Sequence, residues 1–254
     1  MNEAIKKDLQ GAYESFIKDL NIDSETGILG LISNPRYQYL MGRGTIRFSG
    51  YPFIGSKYEA SSPKIMVVGM DQGLDERKDE NSFHSFETRK DRIEPKEQSK
   101  NKYSIHMAGT YGIILFLLKE AYGWTELWDK YFEGKNETFK AIIRKYGPTK
   151  LPYEVLSHVA FTNVHKFVTI GRNNRHGNEN RKWYNPAQEK ELFKTEIRIF
   201  NPDLVYIQGQ SKFDREILYF LKKSGKRLVL SDHPSSCRNG ANKPTYVEKL
   251  KYVH

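Results

Sequence analysis

Three polar residues stand where short apolar runs stop: Asp71 in KIMVVGMDQGLDE, Asn163 in HVAFTN and His233 in RLVLSDH. A carboxylate can orient a water, an imidazole can donate to developing negative charge, and a primary amide offers donor and acceptor side by side. Gly69 and Gly73 bracket Asp71, so backbone and carboxylate can approach a ligand closely. After the run that carries Asn163, the stretch 171–182 (GRNNRHGNENRK) sets Arg172, Arg175, Arg181 and Lys182 against Glu179 alone, a composition suited to phosphate.

Residues so far apart in sequence meet only if regular elements bring them together. Four runs read as strands: 65–69, 158–163, 204–209 and 227–233. Helical periodicity lies between them at 112–123, 137–147, 187–200 and 212–225. Strands alternating with helices predict an α/β fold, a three-layer α/β/α arrangement with a central four-stranded parallel sheet. Ligands of such sheets bind beyond the carboxyl ends of the strands, so Asp71, Asn163 and His233 should share one rim. A single domain over 1–254 is expected, with an amphipathic helix at 3–20, irregular structure at 34–62 and a mobile surface loop at about 84–104.

Lys and Arg number 41 against 31 Asp and Glu, a net charge of +10 that favours a polyanionic partner such as nucleic acid. The single cysteine, Cys237, excludes an internal disulfide framework and any four-cysteine zinc or iron–sulfur site, and it reads as an unreactive loop thiol. No metal or cofactor is expected, and His106, His165 and His176 read as loop or surface residues. The longest apolar run, Ile113–Leu118, is too short to cross a bilayer. A soluble monomer of the cytosol or nucleoid, or of the nucleus in a eukaryote, is the expectation.

Together GMDQG, FTNVHKF and DHPSSCRNGANK resemble, in order and on the right element ends, the three motif regions of the uracil-DNA glycosylase superfamily. The pattern is most similar to the single-strand-selective monofunctional branch. That branch has a first motif of Gly-Met-Asn-Pro-Gly and a last motif that continues through Arg-Asn and Ala-Asn-Lys. Here His233-Pro234-Ser235, Arg238-Asn239 and Ala241-Asn242-Lys243 follow in similar order, and the likeness spans about residues 63–245.

The resemblance implies a monofunctional, metal-free enzyme of base excision repair that flips uracil out of DNA and hydrolyses its glycosidic bond. Asp71 would hold the water, His233 would donate to the 2-oxo group of the departing base, and Asn163 would read the 3-imino and 4-oxo edge. Gly69, Met70, Gln72 and Gly73 would line the base and sugar, and Phe83 would stack on the base with Phe86 as runner-up. Arg172, Arg175 and the loop Ser235, Ser236, Cys237, Arg238 and Asn239 would contact DNA, with Arg238 or Cys237 as the wedge.

Departures from the family pattern accompany these agreements. Gln72 stands where proline is usual, and Asp71 where the single-strand-selective branch has asparagine. Gly73 replaces the tyrosine that excludes 5-methyl groups in the most efficient uracil-specific branch, so some acceptance of 5-modified uracils is expected. Simpler roles compete: Asp71 as a helix cap, Asn163 satisfying backbone groups, His233 as a turn residue, and Phe83 as a core aromatic. Two other functions also compete, a single-stranded DNA-binding module without turnover and a metal-dependent phosphodiesterase built on Asp71, Asp75, Glu76, Asp232 and His233.

Overall fold

Apolar side chains of strand period and helix period segregate into a sheet covered on both faces. The computed structural model describes residues 3–30, 45–48, 50–69, 86, 107–146, 151–170, 187–209 and 214–253. Its helices, in chain order, are α1 (Glu3–Asp19), α2 (Ala108–Leu118), α3 (Thr125–Tyr131), α4 (Phe139–Tyr146), α5 (Leu151–Ser157), α6 (Ala187–Phe200) and α7 (Arg215–Lys223). The strands are β1 (Thr45–Phe48), β2 (Phe53–Ile54), β3 (Ile65–Gly69), β4 (Val159–Asn163), β5 (Phe167–Ile170), β6 (Leu204–Gln208), β7 (Arg227–Ser231) and β8 (Lys251–Val253).

The main sheet is mixed and six-stranded, in the order β2-β4-β3-β6-β7-β8. Its four inner strands are the four runs read from the sequence, and they pair in parallel. The expected sheet of four strands is corrected by two antiparallel edges, β2 on β4 and β8 on β7. Segment 34–62, read as irregular, contains β1 and β2, and β1 pairs with β5 in a separate two-stranded ribbon. These strands have two to four residues, too few for alternation to register in the sequence.

Burial alternates along β3. Ile65 and Val67 join a cluster with residues of α2, α3, α4 and α5, while Met66 and Val68 join another with residues of α1, α6 and α7. That two-sided burial is why the run IMVVG is apolar throughout. Right-handed crossovers explain the segregation. From β3 the chain reaches β4 on one side, then crosses back over β3 to β6 and on to β7, so the connecting helices change face. Neighbouring strands β3 and β6 therefore send their connections over opposite faces, which makes their carboxyl ends the topological switch point of the sheet.

Helix α2 is buried along nearly all its length, from Ala108 to Leu115 and again at Leu118, as a helix apolar all round must be. At α7, Asp214 caps the first turn by accepting from the backbone N–H groups of Glu216 (2.7 Å) and Ile217 (3.3 Å). Within the expected mobile loop at 84–104 only Phe86 is described. Its ring packs against Tyr51, centroids 4.8 Å apart, and is 6 % exposed. Phe86, the alternative stacking aromatic, is thus packed into the core cluster that includes Met66 and Val68. Among the described residues no helix is long and apolar enough to cross a membrane.

Candidate active site at the carboxyl rim

Parallel pairing aligns the ends of the inner strands into one row. Gly69 of β3 is in register with Asn163 of β4, and Gln208 of β6 with Ser231 of β7. Gly69 and Gln208 each lie one residue beyond the paired Val68 and Ile207. With strands spaced about 4.8 Å apart, Asn163 and Ser231 bound a rim about 14 Å wide.

At one end of the rim, the missing side chain of Gly69 makes room for the amide of Asn163. A Cβ built on Gly69 would stand 2.5 Å from Asn163 Oδ1. The backbone N–H of Val164 donates to the Gly69 carbonyl at 3.1 Å and holds the turn against the end of β3. Asn163 is half-buried between the core and the rim.

At the other end, a chain of hydrogen bonds sets the exit of β7. Ser231 Oγ donates to the carbonyl of Asp232 at 2.7 Å, so the Tyr206 hydroxyl 3.0 Å away is the donor to Ser231. Burial raises the pKa of Tyr206 and keeps that proton in place. The Asp232 N–H donates to the Tyr246 hydroxyl at 2.7 Å, and the Asp232 carboxylate accepts from Asn239 Nδ2 at 2.8 Å.

His233 follows, with an exposed ring. Its Nδ1 lies 2.8 Å from Ser235 Oγ and 3.3 Å from the Ser235 backbone nitrogen. A backbone N–H can only donate, so Nδ1 is the acceptor and the ring proton of the neutral imidazole sits on Nε2. The loop then turns back on itself. Ser236 N donates to the His233 carbonyl at 2.8 Å, Asn239 and Gly240 adopt left-handed backbone (φ 54° and 75°), and Lys249 Nζ donates to the Asn239 carbonyl at 3.1 Å. Ser235, Cys237, Arg238 and Asn239 are exposed on this loop and Ser236 is half-buried.

Helix α2 starts beside the same loop. Gly109 is so close to Pro234 that an added Cβ would overlap the proline's backbone carbonyl. Thr110 Oγ1 accepts from Gln208 Nε2 at 3.0 Å, and both side chains are buried. Gln208 is a site residue not expected from the sequence, although its position before Gly209 at the end of LVYIQG is the signal that marks it. Nothing in the sequence marks Thr110.

Of the residues expected at the site, Gly69 and Asn163 are adjacent and His233 leads the loop at the far end of the same rim. Met70, Asp71, Gln72, Gly73, Phe83, Arg172 and Arg175 lie outside the described residues. His165, read as a loop or surface residue, lies in the loop between β4 and β5 but not at the surface: it is buried, with Nδ1 3.4 Å from Glu189 Oε2, because α6 covers the turn after Asn163. Among the described residues, no three His, Cys, Asp or Glu side chains gather closely enough to hold a metal ion.

An open cleft of about 430 Å³ lies at the opposite end of the sheet, lined by residues that include Pro63, Pro202, Asp203, Lys226 and Arg227. It faces the amino ends of β3, β6 and β7, away from the strand ends where ligands of such sheets bind, and Asp203 Oδ2 already accepts from the Lys64 N–H at 2.8 Å. No protein-family model matches the chain, and no curated protein sequence matches it.

Proposed function

We propose that this chain is a monofunctional DNA glycosylase that flips uracil out of DNA and hydrolyses its bond to deoxyribose. The observation that carries the reading is the rim itself. An amide seated over Gly69 and an imidazole with its proton on Nε2 bound the two ends of one row of strand ends. Asp71 follows two residues after Gly69, the last residue of β3, in the sequence, and the reading assigns it the water.

The chemistry assigns each group a step. The C1′–N1 bond breaks with its electron pair leaving on the base, so positive charge grows on the sugar and negative charge on uracil. The Nε2–H of His233 donates to O2 as that charge forms; one preorganised donor of this kind contributes about 3 to 4 kcal/mol. The water oxygen bonds to C1′ and its proton passes to the Asp71 carboxylate, which also stabilises the oxocarbenium-like sugar. Asn163 accepts from N3–H and donates to O4, a pairing that the reversed pattern of cytosine spoils. Arg238, Lys243 and Lys249 give the loop side of the rim positive charge for the phosphates, in keeping with the net charge of +10.

The test is a gel assay on single- and double-stranded oligonucleotides bearing one uracil, with alkali to reveal abasic sites. Activity should survive chelator, and Asp71→Asn and His233→Leu should each lower the rate by about a hundredfold or more. Equal rates in all three proteins, or no alkali-labile site from the wild type, would remove the assignment. DNA binding without base release would favour a binding module, the reading that Gln72 in place of proline supports.

A further inference from the structure

Three successive anchors hold the turn that carries Asn163, and two of them are buried carboxylates of one helix. Glu189 and Glu196 are seven residues apart on α6, two helical turns, so both project from one face about 10 Å apart. Glu196 takes the start of the turn: Thr162 Oγ1 lies 2.9 Å from each of its carboxylate oxygens. Glu189 takes the end, accepting the Lys166 backbone N–H at 2.7 Å. Between them Val164 N–H donates to Gly69 at 3.1 Å. Residues 162, 164 and 166 are tied down, and Asn163 is left to face the rim.

Lys166 and Tyr13 complete the arrangement. Lys166 Nζ lies 2.8 Å from both oxygens of Glu196 and 2.7 Å from Thr162 Oγ1, and its charge sits 5.7 Å from the centre of the Tyr13 ring. The Tyr13 hydroxyl also donates to Glu196. Burial, followed by the charge of Glu196, raises the pKa of Tyr13 and keeps it a donor. Thr162, Lys166, Glu189 and Glu196 are at most 3 % exposed. A buried ion pair is a poor source of stability, because apolar side chains of the same volume do as well or better. What directional hydrogen bonds supply, and apolar packing does not, is a fixed angle and register.

We propose that Glu189 and Glu196, with Lys166 as counter-charge, are positioning residues that hold the Asn163 amide rigidly at the rim and so set which base the site accepts. The specificity half of this inference rests on the glycosylase reading; the rigidity half does not. Helix α1 belongs to the device through Tyr13, which ties the start of the described chain to the selectivity of a site it does not touch.

Side-chain amide NMR of Asn163, assigned by its loss in Asn163→Asp, tests the rigidity independently of turnover. In the wild type the amide should give one sharp proton pair with the relaxation of a core group; motion typical of a solvated surface asparagine overturns the proposal with no variant needed. Glu189→Leu should broaden or split that pair, and Glu189→Gln, which keeps an acceptor for Lys166 N–H, should restore it. Lys166→Met combined with Glu196→Gln removes the ion pair without leaving a lone buried charge and should loosen the amide likewise.

On uracil-containing DNA, Glu189→Leu and the double variant should lose tenfold or more in kcat and in preference for uracil over cytosine. KM should hold, and circular dichroism should show both proteins folded. An unchanged amide signal and unchanged preference in folded variants overturn the clamp. A wild type that excises no uracil but shows the expected NMR pattern overturns the glycosylase reading and leaves the clamp standing.

Discussion

Replacing Gly69 with alanine adds one carbon at the point where β3 meets Asn163. Gly69 is paired strand backbone outside the left-handed region, so alanine fits its conformation and the perturbation is purely steric. The new Cβ would stand 2.5 Å from Asn163 Oδ1, whereas ordinary contact begins at 3.4 Å, so the amide must retreat by about 0.9 Å. Rotating a side chain about 30° off its rotamer costs about 0.5 to 1.5 kcal/mol, and Gly→Ala at a compatible site returns about 0.4 to 1 kcal/mol through the unfolded chain. Stability should therefore change by less than about 1 kcal/mol, a Tm shift within about 4 °C. A misplacement of about 1 Å in a group that reads the base can cost about a hundredfold in rate. On the proposed glycosylase function, single-turnover excision of uracil, measured beside calorimetric Tm and DNA affinity, should show the rate falling while the other two hold. Wild-type rates in a stably folded Gly69→Ala protein would refute the argument that the missing Cβ places the amide.

Gly109→Ala should behave in the opposite way to a routine helix substitution. Alanine normally stabilises a helix by about 1 kcal/mol relative to glycine, but here its Cβ meets the Pro234 backbone, and overpacking against backbone costs about 1 to 3 kcal/mol. Tm should drop by several degrees in calorimetry, and a rise would contradict the close packing of α2 on the His233 loop. A pH effect should arise at His158, buried beside Tyr122 and Trp124, bonded to Ser61 at 2.9 Å and 3.4 Å from Glu154. Burial, assisted by the nearby Lys57 and opposed by Glu154, lowers its pKa, so the folded protein favours the neutral ring. The stability this contributes is complete above the ordinary value of 6.5 and is lost as pH falls through the lower folded value. His158→Phe should flatten the decline of Tm between neutral pH and about pH 5; an unchanged slope would refute the assignment.

The strands that build the rim were legible because two-sided burial leaves an unmistakable trace. IMVVG, HVAFTN, LVYIQG and RLVLSDH are largely apolar runs that end in polar or glycine-containing turns, and parallel order follows from the helices between them. The edges were not legible: β2 has two residues and β8 three, and an edge strand is recognised by its partner more than by its own pattern. Phe86 shows the same limit for a side chain, since an aromatic in a polar segment carries no sign of whether a core lies beneath it.

By itself, the sequence determined the inner strands, the alternation with helices and the row of strand ends to which Gly69, Asn163 and the His233 loop belong, because periodicity and chain order are local properties. Only the tertiary structure decided that Glu189 and Glu196, chemically no different from Glu191 on the same helix, are buried against Thr162 and Lys166. It likewise decided that His165 is covered and that α2 closes on Pro234. Whether a charged side chain meets water or a partner depends on which surfaces the fold brings together, and neither the residue nor its neighbours in sequence encode that.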